Sequence, residues 1–284
     1  MANSDALVST EWLAQHLTSP DVRVVDGSWY LPTDERDPRA EYEEQHIAGA
    51  VFFDIDDIAD DKSDLPHMLP SPEKFSSRVR KLGLGDGVRI VVYDGGNMMA
   101  AARVWWMFRV FGHDDVAVLD GGLAKWLAEG RPVTDEATTP KERHFTARLN
   151  SFLVRDIDQV RANLDSQREQ VIDARGAGRF TGEEPEIRPG LRGGHIPGSS
   201  NLPYGNLLNP ADGTIVDADA IAAAFTGIGV DPKKPIVTTC GSGISATFLA
   251  LALHLMGSKK VAVYDGSWTE WGGHDDTPVA TGPA

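Results

Sequence analysis

A single cysteine stands where a nucleophile could work. Cys240 is the only cysteine among 284 residues; it follows the β-branched run Ile-Val-Thr-Thr at 236–239 and begins the segment Cys-Gly-Ser-Gly-Ile-Ser-Ala. This pattern predicts a strand, a glycine loop and a helix, which places the thiol at the carboxyl edge of a parallel sheet, where open α/β folds bind ligands. Loop amides and a helix N-terminus there form a positive nest that stabilises a thiolate, the reactive form of cysteine. The alternative for a lone cysteine is a small inert core residue, and the position of Cys240 favours the nucleophile.

Two other chemistries of a glycine-rich loop fit this segment poorly. Its spacing matches neither Gly-x-Gly-x-x-Gly nor the P-loop pattern that ends in Lys-Ser/Thr, which argues against a nucleotide site. A cysteine phosphatase would need an arginine after five intervening residues to bind the phosphate oxygens, and that position is Ala246. The sequence therefore disfavours both nucleotide binding and phosphate-ester hydrolysis.

The composition narrows the class of protein further. The chain is 41% hydrophobic and 24% charged, which predicts a globular protein with a buried core. Its net charge of −15 repels phosphate backbones and anionic lipids, so we expect no nucleic-acid or membrane partner. One cysteine permits neither an internal disulfide nor a cysteine-rich zinc cluster. Because neither a secretory signal nor an apolar run of about 20 residues is visible, the protein is expected to be cytoplasmic.

The chain repeats itself, and the repeat explains its length. Segments of the first half recur in the second at a nearly constant offset. The recurring pairs are Val24-Val25-Asp26 and Val171-Ile172-Asp173, His46-Ile47-Ala48-Gly49 and His195-Ile196-Pro197-Gly198, Ile90-Val91-Val92-Tyr93-Asp94 and Ile236-Val237-Thr238-Thr239-Cys240, and Trp126 and Trp271. We therefore expect two copies of one fold, a first domain at residues 1–135 and a second at residues 150–284, joined by the irregular segment between them.

Each copy alternates short β-branched runs with longer segments of helical character. In the first copy, strands are predicted at 22–25, 89–93 and 116–119, and helices at 72–82 and 99–111. That alternation is typical of βαβ units. Each domain is therefore predicted to be α/β, with a parallel sheet flanked by helices.

The duplication also separates architecture from chemistry. Residues kept in both copies are interpreted as structural, since chemistry that happens once needs its residues only once. They are His46 with His195, Asp120-Gly121 with Asp265-Gly266, and Trp126 with Trp271. The informative mismatch is Asp94 in the first copy against Cys240 in the second. Only the second copy has a nucleophile at this position.

Several further motifs combine with the Cys240 loop into a recognisable set. They are Arg103-Val104-Trp105-Trp106-Met107-Phe108, Leu119-Asp120-Gly121-Gly122-Leu123, Gly178-Arg179-Phe180 and Gly194-His195-Ile196-Pro197-Gly198. Together they resemble the tandem-domain sulfurtransferases of the rhodanese superfamily, and within it the 3-mercaptopyruvate sulfurtransferases, over nearly the whole chain. The loop is similar to that group's Cys-Gly-Ser/Thr-Gly-Val-Thr-Ala, with Ile244 and Ser245 as departures that keep shape or hydroxyl. Thiosulfate-using rhodaneses tend to carry Cys-Arg-Lys-Gly, and this loop lacks those cations.

The resemblance implies two tandem rhodanese-like domains, of which the first has lost its nucleophile at Asp94. It also implies a role for four residues in the reaction itself. Cys240 is expected to carry the sulfur, and Ser242, His67 and Asp56 are expected to form a polar relay beside it. His67 has no partner in the other copy, which distinguishes it from an ordinary loop histidine.

The resemblance further implies a set of residues that bind the substrate. Arg179 and Arg188 are expected to bind its carboxylate and ketone. The loop residues expected at the substrate are Gly241, Gly243, Ile244, Ser245 and Ala246. An alternative for the two arginines is that they only offset the charges of nearby glutamates, which are Glu183, Glu184 and Glu186.

The implied activity is the transfer of sulfur from 3-mercaptopyruvate, a 2-oxo acid thiol, through a Cys240 persulfide, with release of pyruvate. The acceptor is a thiol, either thioredoxin-like or small, or cyanide, and neither a metal nor an organic cofactor is implied. Two alternatives remain open: a thiosulfate:cyanide sulfurtransferase on the same scaffold, and a non-catalytic sulfur carrier or redox-sensing module. Donor kinetics distinguishes the first alternative, and the absence of turnover the second, because the fold alone separates none of them.

Overall fold

Residues 4–283 are described by the computed structural model, and they form two halves of the same architecture. The strands of the first half are β1 (Leu7–Val8), β2 (Val22–Asp26), β3 (Val51–Phe52), β4 (Arg89–Tyr93) and β5 (Val116–Leu119). Those of the second are β6 (Val154–Arg155), β7 (Gln170–Asp173), β8 (Ser200–Asn201), β9 (Ile236–Thr239) and β10 (Val261–Tyr264). Within the described range they form two parallel five-stranded sheets in the orders β1-β5-β4-β2-β3 and β6-β10-β9-β7-β8. The prediction of two tandem α/β domains is confirmed.

Helices flank both sheets. In the first half they are α1 (Thr10–His16), α2 (Pro38–Glu44), α3 (Ile55–Ile58), α4 (Pro72–Lys81), α5 (Met99–Val110) and α6 (Gly122–Ala128). In the second half they are α7 (Ile157–Ser166), α8 (Ala177–Thr181), α9 (Ala218–Gly227), α10 (Ser245–Leu255) and α11 (Ser267–Trp271). Single 3₁₀ turns lie at Ser4–Ala6, Pro32–Asp34, Ser151–Leu153 and Tyr204–Leu207. Among residues 4–283, no helix is long and apolar enough to cross a bilayer.

Local sequence explains where these elements begin and how they lie. The predicted strands 22–25, 89–93 and 116–119 are present, and β4 and β5 are buried along almost their whole length, as strands covered on both faces must be. Helix α4 begins after Ser71, whose hydroxyl accepts a hydrogen bond from the Lys74 amide at 3.2 Å, with proline in the first turn.

The two sheets lie within residues 7–119 and 154–264. The boundaries 1–135 and 150–284 stay a prediction.

The two halves pack through α5 and α10. Both helices are apolar on almost every side, and nearly all of their residues are buried. Val104 and Phe108 of α5 belong to the same apolar core as Phe248 and Leu251 of α10. Because this core is continuous across the boundary, the loops that precede the two helices are held close together.

The histidines and tryptophans kept in both copies make structural contacts, as predicted. The Nδ1 atom of His46 bonds to the Tyr42 carbonyl at 2.7 Å, and that of His195 to the Phe180 carbonyl at 2.8 Å. Trp126 and Trp271 are completely buried, and each donates its indole N–H to a proline carbonyl. These contacts fix turns and core in each half.

Candidate active site

The Cys240 loop is held tightly between β9 and α10. Cys240 is 2% exposed, and its amide donates to the Ser267 hydroxyl at 3.2 Å. The first residues of α11 bind the loop from the other side, since the Trp268 amide donates to the Cys240 carbonyl at 3.0 Å. Gly243 has φ +78°, and a Cβ atom there would lie 2.7 Å from the Asp265 carbonyl oxygen, so only glycine fits. The thiol therefore sits on a rigid turn at the carboxyl edge of the sheet.

The first half shows what such a turn binds. Asp94 occupies the position of Cys240, and its carboxylate accepts the amides of Gly96 (3.0 Å), Met98 (3.0 Å) and Ala101 (2.9 Å). Burial raises the pKa of Asp94, and these amide hydrogen bonds oppose the rise. The carboxylate thus fills an anion nest made of backbone amides. Because the two loops are duplicates, we infer that the corresponding amides of the second half surround the Cys240 sulfur.

His67 and Asp56 form a hydrogen-bonded pair in the first half. The His67 Nδ1 atom lies 2.7 Å from Asp56 Oδ1, and Trp29 Nε1 donates to Asp56 Oδ2 at 3.1 Å. The Trp29 ring also packs edge-on against the imidazole, with 4.8 Å between centroids. The imidazole is buried whereas the Asp56 side chain is 60% exposed. The pair therefore connects a buried imidazole to solvent.

Arg188, a residue of the second half, contacts the His67–Asp56 pair. Its Nη2 atom lies 3.1 Å from His67 Nε2. A guanidinium can only donate, so Nε2 accepts and the neutral His67 carries its proton on Nδ1, facing Asp56. Burial lowers the pKa of Arg188 and the charge of a Cys240 thiolate raises it, so both groups lie within each other's field. The predicted relay is only partly assembled, because in the described chain His67 bonds to Asp56 and Arg188 and not to Ser242. The role of Ser242 stays a prediction.

Arg179 has a different environment. It donates to Glu186 Oε2 through Nη2 (2.5 Å) and Nε (3.1 Å), while Arg175 donates to the other Glu186 oxygen at 2.5 Å. Charge compensation, the alternative interpretation, therefore holds for Arg179 and Glu186. The guanidinium nevertheless lies over the loop, because a Cβ atom on Gly241 would be 3.1 Å from its Nη2. Arg188 contacts His67 instead of a glutamate.

The remaining loop residues take the places that the sequence suggests. Ser242, Gly243 and Ile244 are buried in the turn, and Ser245 and Ala246 begin α10. Their contact with substrate stays a prediction.

The ionisation of His67 leads to a pH prediction. Burial lowers the pKa of His67, Asp56 partly restores it, and the charges of Arg103 and Arg188 lower it again. The imidazole therefore becomes protonated only at a pH below its usual pKa of about 6.5. We expect the acid limb of kcat/KM to lie below pH 6.5 and to move to still lower pH in Asp56→Asn, which loses the anion that stabilises imidazolium. Asp57→Asn is the control, because Asp57 is a neighbouring surface carboxylate paired with Arg78 at 2.9 Å. A limb that moves to higher pH in Asp56→Asn would contradict this ionisation.

The comparison with known proteins places this site in a family. A family model described as the rhodanese-like domain matches residues 9–129 and again residues 156–274. The chain belongs to the rhodanese family. It is 43% identical over 272 residues to human 3-mercaptopyruvate sulfurtransferase, covering 94% of this chain and 91% of the human protein. It is 46% identical over 273 residues to bovine thiosulfate sulfurtransferase, with the same two coverages.

A solved structure agrees with the fold across both rhodanese domains. The crystal structure of SseA from Escherichia coli, a 3-mercaptopyruvate sulfotransferase with the rhodanese fold, superposes with a TM-score of 0.85 at 40% identity. The alignment covers 93% of this chain and 98% of SseA. The expected family and its tandem arrangement are confirmed.

Four residues that contact this site are not predicted as site residues from the sequence. They are Trp29, Arg103, Glu186 and Asp265. The sequence suggests Glu186 only as a charge that the two arginines offset. A signal did exist for Arg103, because a charged residue inside an apolar helical run calls for a buried partner. For Trp29 and Asp265 the contacts depend on how distant segments meet in space.

Proposed function

We propose that this protein is a sulfurtransferase that takes sulfur from 3-mercaptopyruvate onto Cys240. The observation that carries the proposal is the single cysteine at the position where the duplicated loop holds an amide-bound carboxylate, with the Arg188 guanidinium in its field and hydrogen-bonded to a neutral imidazole. Arg175 and Arg179 share the buried carboxylates of Asp173 and Glu186. Arg188 contacts a neutral imidazole, so its charge is available to the one carboxylate of a 2-oxo acid.

The proposed first half-reaction is attack of the Cys240 thiolate on the sulfur of the donor. A sulfur–sulfur bond forms, the carbon–sulfur bond breaks, and its electron pair leaves as the enolate of pyruvate. The donor thiol loses one proton and the enolate carbon gains one, which gives a Cys240 persulfide anion and pyruvate. The nest amides stabilise the anion, and the His67–Asp56 pair, with Ser242 beside the sulfur, moves the proton.

In the second half-reaction the outer sulfur of the persulfide passes to an acceptor. A thiolate, from a small thiol or a thioredoxin-like protein, or cyanide attacks that sulfur, and the electron pair of the sulfur–sulfur bond returns to Cys240 as thiolate. No other oxidant or reductant enters this cycle. The cytoplasmic location of the reaction stays a prediction.

The choice of donor follows from the charge of the loop. Overall identity does not decide it, because thiosulfate and 3-mercaptopyruvate sulfurtransferases are similarly close to this chain. Thiosulfate is a compact dianion that needs cations next to the nucleophile, and positions 241 and 242 are glycine and serine. We expect kcat/KM for 3-mercaptopyruvate to exceed that for thiosulfate at least ~10-fold, about 1.4 kcal/mol of transition-state binding.

Steady-state kinetics with both donors and cyanide as acceptor tests this choice. Arg188→Met should raise KM for 3-mercaptopyruvate, and it should also change kcat because the same guanidinium touches His67. Lys62→Met, a surface lysine elsewhere on the first domain, is the matched control for loss of one positive charge. A preference for thiosulfate in the unaltered protein would favour the thiosulfate:cyanide sulfurtransferase. A persulfide formed without turnover with any acceptor would favour the carrier or sensor module.

A further inference from the structure

We propose that Arg103 and Asp265 are positioning residues whose buried ion pair holds His67 of the first domain in register with the Cys240 loop of the second. The proposal rests on the sulfur transfer proposed above. It adds two residues that lie outside the predicted site and assigns them a specific task, which is to align the proton-transfer group with the sulfur.

Arg103 reaches three groups from the middle of α5. It is fully buried, and its Nη1 atom donates to Asp265 Oδ1 at 2.7 Å and to the Gly243 carbonyl at 3.1 Å. Its Nη2 atom donates to the carbonyl of His67. One guanidinium thus binds the backbone of both active-site loops, and these loops belong to different domains.

Asp265 completes the clamp from the second domain. It follows β10, and its second carboxylate oxygen accepts the Leu69 amide at 2.8 Å. The segment 67–69 is therefore bound at both ends, at the His67 carbonyl by Arg103 and at the Leu69 amide by Asp265. His67 itself has φ +63°, a conformation that is uncommon for a residue other than glycine and that persists where its surroundings fix it.

The space around Gly243 shows how closely the clamp fits. A Cβ atom at that position would lie 3.0 Å from Arg103 Nη1 and 3.4 Å from Asp265 Oδ1. The Trp106 ring covers the guanidinium of Arg103, and the Arg103 Cζ atom lies 4.6 Å from the ring centroid. A buried ion pair is weak evidence for a gain in stability, since apolar residues often replace one without loss. Its hydrogen bonds to two catalytic loops give this pair another purpose.

The placement of the other groups predicts which kinetic constant responds. Cys240, Arg179 and Arg188 all belong to the second domain, whereas His67 and Asp56 belong to the first. Loosening the clamp moves the proton-transfer pair relative to the sulfur, whereas Arg179 keeps its bond to Glu186 and Arg188 loses at most its contact with His67. A misplacement of about 1 Å can cost ~10²-fold in rate. We expect kcat to fall ~10–100-fold in Asp265→Asn and KM to change less than ~3-fold.

A double-mutant cycle with His67→Asn tests this assignment. Asp265→Asn should lower kcat ~10–100-fold in the unaltered protein and less than ~2-fold in the His67→Asn background, because there is no imidazole left to align. An equal loss in both backgrounds would overturn the proposal. The matched control is Lys125→Met, which removes an ion pair across the same boundary, to Asp212 at 2.9 Å, and a second one to Glu129 at 3.4 Å. Neither partner belongs to the segment 67–69 or to the Cys240 loop. This control should leave kcat unchanged.

A second variant and a second measurement separate positioning from folding and from the proposed function. The pair Arg103→Met with Asp265→Leu removes both charges without leaving one of them unpaired, but the Gly243 and His67 carbonyls and the Leu69 amide lose these partners. We therefore expect a lower melting temperature and, in assays well below it on protein shown by circular dichroism to be folded, a loss of kcat. Full kcat in that variant would overturn the proposal. The ¹⁵N signals of His67 in histidine-labelled protein should shift in this variant and not in Lys125→Met, and an unchanged signal would also overturn it. The ¹⁵N signals are recorded without substrate, so they test the clamp independently of the activity. Inactivity of the unaltered protein with both donors would overturn the proposed function and not the clamp.

Discussion

Replacing Cys240 with serine is expected to abolish sulfur transfer, with kcat falling at least ~10⁴-fold, the scale on which loss of a nucleophile acts in other enzymes. Serine keeps the size of the side chain, so the turn and its nest should remain. Its hydroxyl is a far weaker nucleophile than a thiolate, and the chain has no other cysteine to take the sulfur. The measurement is turnover of 3-mercaptopyruvate, followed as pyruvate release, with circular dichroism to show that the variant is folded.

The duplicated loop provides the matched control for this variant. Asp94→Cys places a thiol in the equivalent nest of the first domain, where the carboxylate now binds three amides. Combined with Cys240→Ser it should not restore turnover, because Arg179 and Arg188 lie beside the other loop. Substantial turnover in Cys240→Ser alone would show that the sulfur takes another route.

Replacing His67 with asparagine is expected to lower kcat roughly 10²–10⁴-fold, the usual contribution of general acid–base catalysis. The donor thiol must lose a proton and the enolate must gain one, and the neutral imidazole held by Asp56 is the group placed to move it. Asparagine keeps a polar side chain but cannot titrate. Pre-steady-state release of pyruvate measures the step concerned.

His144→Asn is the matched control for this second variant. His144 lies in the segment that joins the two domains and bonds through Nδ1 to Asp86 at 2.9 Å, as His67 does to Asp56, but on the exposed surface. It should keep full activity. If His67→Asn also kept full kcat, the first domain would contribute no proton transfer, and the shared site would be wrong.

The fold could be predicted from the sequence because the sequence contains two copies of the same pattern of elements. Two copies of the same strand, loop and helix pattern gave the sheets, and α5 at Met99–Val110 ends within one residue of its predicted bound. The Cys240 loop could be located for the same reason, since its counterpart at Asp94 shows which residue changed. Local patterns of apolar and glycine residues carry this information, and they need no knowledge of how the domains meet.

What escaped prediction is the set of contacts that depends on the meeting of the two domains. His67 and Arg188 are 121 positions apart, and Arg103 and Asp265 are 162 apart. Each pair forms because the two domains pack together through α5 and α10. The sequence of one segment alone does not predict the direction of a side chain across such an interface. The two arginines show the same limit. Whether Arg179 or Arg188 forms the ion pair with Glu186 depends on the path of the irregular loop between α8 and β8, which the sequence does not reveal.

Intact-protein and peptide mass spectrometry after one equivalent of 3-mercaptopyruvate, without acceptor, shows whether Cys240 carries the sulfur. We expect one added sulfur atom on the peptide that contains Cys240, an equal amount of pyruvate released, and loss of that sulfur when a thiol or cyanide is added. Pyruvate release without added sulfur on Cys240, or sulfur on Cys240 that no acceptor removes, would contradict this expectation.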